Sequence, residues 1–337
     1  MSSEIRSAQV TDWPRIDQLY SDGHAPTLQG EGQTHPIRLW QMLTRTFSSL
    51  LPLATPSELL YVLEQSGKVM GFIQAEVLSN GTAARVRRAE EAVRVLNLSL
   101  APELSPTAGG ALIDHLCNEA LEMGVARVYV RLPEGHGVVE SFRAHGFVPY
   151  ARDRVFYRAN LDGLEPGDGP PGLRRARRKD LLGLFTLYLA VTPKVVSQME
   201  APDFAHWRLL YESEWLERFN RRTAHAMVVD AGELDGWLGV QPGSPGRPHT
   251  LSMLARSDSL APALLARAVR ELVSQPGPAW VNVRNYDTAT TRVLQDAGFE
   301  GLAGQELFVR DMRAAARALA AGRRKDEKAL APAFGSM

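Results

Sequence analysis

Val93-Arg94-Val95-Leu96-Asn97-Leu98-Ser99-Leu100 alternates apolar and polar side chains, turns through the Pro- and Gly-bearing stretch from Ala101 to Gly110, and opens into a helical stretch from Ala111 to Met123. A period of two predicts a strand, and the longer apolar periodicity after it predicts a helix. Gly124 closes that helix. Val125 to Arg131 then reads as another strand, and Val138 to Ala144 as a short helix ending at His145-Gly146-Phe147. Tyr150 to Leu161 supplies the last strands of the unit. On the other side, Tyr61 to Val77 forms a hairpin before the Asn80-Gly81 turn, and Ile37 to Leu50 is a helical stretch. A short strand, Glu4 to Ala8, leads to Thr11-Asp12 as a helix N-cap, with Ile16, Leu19 and Tyr20 at helical spacing behind it. The order is β, α, α, β, β, β, α, β, α, β.

The same order recurs. Gly163 to Pro171 is a Gly- and Pro-rich linker near the midpoint, and the segment beyond it repeats the N-terminal pattern. Ile5-Arg6, Asp12, Ile16, Leu19 and Tyr20 return 168 residues later as Leu173-Arg174, Asp180, Leu184, Leu187 and Tyr188. Gly67 and Gly71-Phe72 match Gly232 and Gly236-Trp237. Val128-Tyr129-Val130-Arg131 matches Val281-Asn282-Val283-Arg284, and Gly146-Phe147 matches Gly298-Phe299. Ordered matches with slowly drifting offsets indicate a duplication with small loop deletions. The expected organisation is a first domain over residues 1–162, the linker 163–171, a second domain over 172–312, and a helical then loose tail over 313–337.

Composition sets the outer bounds. The 337 residues contain 38 Lys plus Arg against 38 Asp plus Glu, so no whole-chain field attracts nucleic acid or an anionic membrane, and any such partner needs a local patch. The 45% hydrophobic and 23% charged content is that of an ordinary globular protein. One cysteine, Cys117, excludes an intrachain disulfide and any Cys-cluster metal site, which suits a reducing compartment. With no leader-like start and no long apolar run, the expectation is a cytoplasmic protein with no membrane partner, no metal and no nucleic acid.

The element order, found twice, resembles the GNAT superfamily of acyl-CoA N-acyltransferases in a tandem arrangement. The residues that carry the resemblance are the Arg-x5-Asp openings, the Gly71-Phe72 hairpin, the strand-turn-helix from Leu96 to Leu116, and the two Gly-Phe pairs. It implies an α/β (α+β) fold of two GNAT-like domains, each a mixed, mostly antiparallel sheet flanked by helices. It further implies acetyl-CoA, or a related acyl-CoA, as co-substrate and a small-molecule or peptide amine as acceptor. In this family the coenzyme lies in a splay beside the fourth strand, and the turn into the next helix binds the pyrophosphate through backbone N–H groups. Such groups are unpaired donors at the positive end of a helix dipole, and Gly lets an anion approach the backbone.

Carried onto this chain, the coenzyme-binding residues are Leu98, Leu100, Ala108, Gly109, Gly110 and Ala111. The family's Gln or Arg at the start of the turn falls on Ser105, or on Pro106 in the alternative register. The second-half turn, Ala255 to Leu265, has no Gly, loses an N–H at Pro262 and carries Asp258, so this half is expected to be structural or substrate-shaping. Phe142 and Leu294 stand where the family commonly places an acidic Tyr. Candidate catalytic groups are Glu76, late in its strand, His136, in the loop after Val125 to Arg131, and Tyr129; each also has an ordinary structural reading. Asp22, His24 and Glu31, in the long polar segment after the first helix, are candidates for receiving a cationic amine. The alternative is a catalytically inactive GNAT-like protein that binds a ligand or partner in the old cleft. Arg174-Arg175-Ala176-Arg177-Arg178-Lys179 is the one dense basic cluster, and it reads equally as an exposed strand after a linker. The sequence leaves the oligomeric state open, a homodimer among the options.

Overall fold

The structure is a computed structural model that describes residues 3–23, 58–78, 92–104, 107–211, 225–243 and 248–315. The expected helix Ile37–Leu50 and the tail after 315 lie outside the described residues, as do His24, Glu31, Ser105 and Pro106.

Among the described residues the first half contributes β1 (Ser3–Ser7), α1 (Trp13–Gly23), β2 (Glu58–Gln65), β3 (Lys68–Leu78), β4 (Ala92–Leu100), α2 (Thr107–Glu122), β5 (Arg127–Pro133), α3 (Val138–Ala144) and β6 (Val148–Arg158). The second contributes β7 (Leu173–Arg175), α4 (Leu181–Val191), α5 (Lys194–Glu200), β8 (His225–Asp230), β9 (Leu234–Gln241), β10 (His249–Ala255), α6 (Leu260–Leu272), β11 (Ala279–Arg284), α7 (Thr288–Asp296) and β12 (Glu300–Asp311).

The two copies start in the same way. Arg6 makes a forked bond to Asp12 at 2.7 and 2.9 Å, and Arg174 makes the equivalent bond to Asp180 at 2.8 and 2.9 Å. Each carboxylate also accepts a backbone N–H three residues earlier, from Gln9 and Arg177, at 2.7 Å. Asp12 therefore ends a 3-10 turn, Val10–Asp12, and does not cap α1 in the expected way. The two Gly-Phe pairs are helix stops. Gly146 and Gly298 have φ of +79° and +71°, and the following Phe147 and Phe299 N–H groups reach back to the carbonyls of Phe142 and Leu294 at 3.1 and 2.9 Å. This is the Schellman arrangement, whose left-handed residue favours glycine.

The strands form one continuous twelve-stranded sheet in the order β1-β2-β3-β4-β5-β12-β6-β11-β10-β9-β8-β7. Each half gives its last strand to the other. β12 lies antiparallel against β5, from Gln305↔Pro133 to Asp311↔Arg127, and β6 lies antiparallel against β11, from Ala279↔Arg158 to Arg284↔Asp153. The two exchanged strands then pair with each other. The expected closing strands of the first unit are thus a single strand, β6, placed beside the second half. The linker in the sequence does not divide the sheet. It is also held in place, since Gly167 N–H donates to the Ala266 carbonyl at 2.9 Å and Asp168 pairs with Arg270.

One face of the sheet carries α2, α3, α6 and α7, packed on β-strand side chains such as Val128, Val130, Val281 and Val283. The other face carries α1, α4, α5 and the helical residues 204–211. Phe308 of β12 is fully buried in the first-half core beside Leu112, Leu116 and Phe142, although it belongs to the second repeat. Phe308→Ala should therefore destabilise the whole chain by about 3–5 kcal/mol through the cavity it leaves. Urea unfolding followed by tryptophan fluorescence should give one shifted transition, and two separable transitions would refute the mutual dependence of the halves.

Candidate functional site

β4 and β5 run parallel and pair only from Ala92↔Arg127 to Val95↔Val130, while the strands themselves continue to Leu100 and Pro133. They separate at a bulge. Against β3, Gln74 faces Asn97 and Ala75 faces Val95, so Leu96 is an extra residue at the point of separation. A bulge bends its strand and ends regular pairing. The result is a gap between the two strands beyond Leu96.

On the α2 face the gap leads into a cavity of about 210 Å³ lined by Leu98, Leu100, Leu104, Gly109, His136, Gly137, Val138 and Ser141. The wall is mostly apolar, and His136 is its one titratable side chain. The Nδ1 of His136 accepts the Val138 N–H at 3.3 Å, which leaves Nε2 as the proton-bearing nitrogen of the neutral ring. The cavity abuts the first turn of α2, whose leading N–H groups have no partner within the helix. The two glycines there have separate structural duties. A Cβ on Gly109 would come within 3.3 Å of Leu100, so the glycine keeps the helix close to β4 at the cavity wall. One on Gly110 would collide with the His145 ring, which makes this residue a packing position between α2 and α3. Ala108 is partly buried against the core and Ala111 is exposed.

The opposite face of the gap is polar. Asn97 donates to Gln74 at 2.5 Å, and Arg131 of β5 lies across the gap, paired with Asp153 at 3.2 Å. One row further along, Glu76 pairs with Arg94 at 3.2 Å; it is 19% exposed and faces away from α2. His136 and Glu76 therefore lie on opposite faces of the sheet, and Glu76 stands in the cross-strand row Glu76–Arg94–Tyr129, where β4 and β5 are still paired. Tyr129 of β5 stands opposite Arg94 in that row. It is buried on the Glu76 face, its hydroxyl donates to the Glu200 carbonyl at 2.7 Å, and burial raises its pKa to about 12. Asp22 lies in α1, and of this residue the structure describes the backbone alone. Cys117 is buried on the sheet-facing side of α2, with burial raising its thiol to about 11. Phe142 and Leu294, at the places of the family's acid, are fully buried, and Phe142 packs edge-to-face on Phe147.

The second half has a matching divergence, since β10 pairs with β11 only from His249↔Ala279 to Leu251↔Val281. Its chemistry differs. Arg256 at the start of the turn is bound to Asp235 at 2.9 Å and to the Leu234 carbonyl at 3.2 Å, and Pro262 sits in the first turn of α6. On the other face Arg284, past the last β10–β11 pair, bonds the Glu200 carboxylate at 2.5 Å and Asp153 at 3.2 Å. Tyr188 and Tyr150 donate to the same Glu200 carboxylate at 2.8 and 3.2 Å, and Tyr211 is 3.2 Å from Arg284. Burial alone would raise the Glu200 pKa, but Arg284 and the hydroxyls of Tyr188 and Tyr211 more than offset it and hold the carboxyl below its ordinary value. Sequence reasoning missed this network. It also missed Leu104, Val138 and Ser141, because short apolar and hydroxyl residues in a turn and a helix carry no signal until tertiary packing brings them together. Among the described residues no cluster of three or more His, Cys, Asp or Glu is arranged to hold a metal.

No protein-family model and no curated protein matches the sequence. Solved structures do match over most of its length. A GCN5-related N-acetyltransferase from Sphaerobacter thermophilus aligns over 92% of this chain and 96% of its own at 14% identity, with a TM-score of 0.55. A tandem GNAT protein from the clavulanic acid biosynthesis pathway aligns over 92% of this chain and 98% of its own at 17% identity, with a TM-score of 0.52. The structure of a glucosamine N-acetyltransferase region in a fungal multidomain beta-N-acetylglucosaminidase aligns over 91% of this chain and 38% of its own at 12% identity, with a TM-score of 0.57. At these identities the likeness is one of fold, and that fold is the tandem GNAT fold.

Glu200→Gln should cost about 3 kcal/mol at neutral pH, because it leaves the buried Arg284 one anionic partner short. The sign of the pH dependence comes from the depressed folded pKa. The carboxylate's contribution is complete above its unfolded value of 4.5 and is lost as pH falls through the lower folded one. Urea midpoints of the two proteins should therefore converge in acid, and a pH-independent difference would contradict the assignment.

Proposed function

We propose that this tandem GNAT-fold chain is an acyl-CoA-dependent N-acyltransferase, using acetyl-CoA or a related acyl-CoA and a small-molecule or peptide amine, with the first half active. The observation that carries the reading is the gap between β4 and β5, opened by the Leu96 bulge, leading into an apolar cavity at the start of α2. The residues present suit a narrow, mainly apolar arm ending in phosphates. Leu98, Leu100, Leu104 and Val138 would hold the arm, and the leading N–H groups of α2 would take the anion. With no Arg or Lys among the cavity residues, anion binding rests on backbone donors.

Acyl-CoA, when bound, supplies the acyl group as an activated thioester. The protein's part is to position two reactants on opposite faces of one gap, which converts a bimolecular step into an oriented one. Glu76 is the candidate base that takes the proton from the acceptor ammonium, with Arg94 holding the carboxylate in place. Across the sheet, His136 in the cavity wall is the candidate hydrogen-bond donor to the bound acyl-CoA. Tyr129, with its hydroxyl held by the Glu200 carbonyl, supports the strand. The second half serves as scaffold, its own gap tied up by Arg284 and Glu200.

The buried Phe142 and Leu294 favour the second reading, a non-catalytic binder, since neither can donate a proton. Isothermal titration with acetyl-CoA should show binding that falls at least about tenfold in both Gly109→Leu and Leu104→Asp, the one filling and the other charging an apolar wall. Absence of binding at millimolar acetyl-CoA would overturn the proposal. Turnover across a panel of amines, lowered about 100-fold in Glu76→Gln, is the expected result for an enzyme. Binding without turnover would establish the non-catalytic reading.

A further inference from the structure

The basic run before α4 and the outer face of α4 have no part in the groove. Within the run, Arg174 is engaged by Asp180 and Asp230 at 2.8 and 2.7 Å, while Arg175, Arg177, Arg178 and Lys179 are exposed. The helix after it has no charged residue from Leu181 to Val191. Its inner face packs Leu184, Leu187 and Tyr188 into the core, but it is apolar outside as well, with Leu182 61% and Leu189 43% exposed. Between them lies the exposed Thr186, whose hydroxyl donates back to the Leu182 carbonyl at 3.1 Å. Val195, at the start of α5, is 69% exposed beside the exposed Lys194.

The repeat provides an internal control. α1 packs Ile16, Leu19 and Tyr20 inward just as α4 packs Leu184, Leu187 and Tyr188. Its outward positions, however, include Pro14 and Gln18 where α4 has Leu182 and Thr186. The cations Arg175, Arg177, Arg178 and Lys179 correspond to Ser7, Gln9, Val10 and Thr11. Packing within a GNAT unit thus requires neither the apolar outer face nor the basic run, and the second half has acquired both at one place.

We propose that this face docks on an anionic lipid surface, with Leu182, Leu189 and Val195 entering the interface and Arg175, Arg177, Arg178, Lys179 and Lys194 meeting the headgroups. Apolar side chains beside clustered cations are what interfacial binding to anionic lipid needs, and each surface cation adds to the attraction. Charge disfavours a second copy of the chain, because two such faces would bring two basic runs together. It also revises the expectation drawn from zero net charge, which held only for the chain as a whole. Among the described residues no helix is long and apolar enough to cross a membrane, so the contact is peripheral.

The test is co-sedimentation of the full-length chain with vesicles of mixed phosphatidylglycerol and phosphatidylcholine, against vesicles of phosphatidylcholine alone. The chain should partition onto the anionic vesicles and be released by salt. The pair Leu182→Asp/Leu189→Asp and the pair Arg177→Glu/Arg178→Glu should each lower partitioning at least about tenfold. Val10→Asp, at an exposed position on the first half, should leave it unchanged. All variants alter exposed residues, and unchanged melting temperatures would show that they fold. Three results would overturn the proposal: equal binding to both vesicle types, anionic binding unaffected by Leu182→Asp/Leu189→Asp, as expected of a nucleic-acid patch, or a dimer in sedimentation equilibrium that the same pair dissociates.

Discussion

The exchange of β6 and β12 is the constraint on which the rest of the structure depends. β5 has apolar side chains on the α2 face and a buried Tyr129 on the other, so it is a central strand that needs a neighbour along both edges. β12 meets that need with backbone pairing and with Phe308, and β6 does the same for β11. An unpaired central strand would leave buried N–H and C=O groups without partners, a cost of the order of a kilocalorie or more for each. The exchange also aligns the two halves, because the strands that join them belong to a single sheet.

A polar network sits above the exchanged strands. Glu200 at the end of α5 collects Arg284, Tyr188 and Tyr150, while Arg284 and Arg131 share Asp153 of β6. Nearby, Arg127 donates to the Gln198 and Met199 carbonyls and Tyr129 to that of Glu200, so α5 of the second half is fastened to a strand of the first. Buried charges are tolerable when paired and hydrogen-bonded. The same fastening distinguishes the two gaps. Arg284 and Arg131 are equivalent in the repeat and both lie past the end of strand pairing, but Arg284 is drawn to Glu200 across its gap.

Much of the fold was legible because its signals are local. Alternation along Val93–Leu100, the Arg-x5-Asp openings and the Gly-Phe stops depend on residues within one turn or one strand, and the repeat doubled each of them. That Leu98, Leu100 and Gly109 lie close together beside the turn was legible for the same reason. Leu104, Val138 and Ser141 were not, because what makes them cavity-lining is the distance to which β4 and β5 separate. The sequence also did not reveal that a side chain at Gly110 would meet the ring of His145, brought there by the packing of α3 on α2.

The sequence by itself determined that the chain holds two copies of one α/β unit, unequal at the turn after the fourth strand, because periodicity, turn residues and long-period matches are properties of the linear chain. Tertiary structure alone decided which strand closes which half. β6 and β12 are equivalent in pattern, each apolar enough to fill the place beside either fifth strand, so nothing local distinguishes return from exchange. It likewise decided that Glu76 and His136 stand on opposite faces of the sheet. The parting of β4 and β5 at Leu96 is of the same kind, since a gap between strands is a property of the sheet.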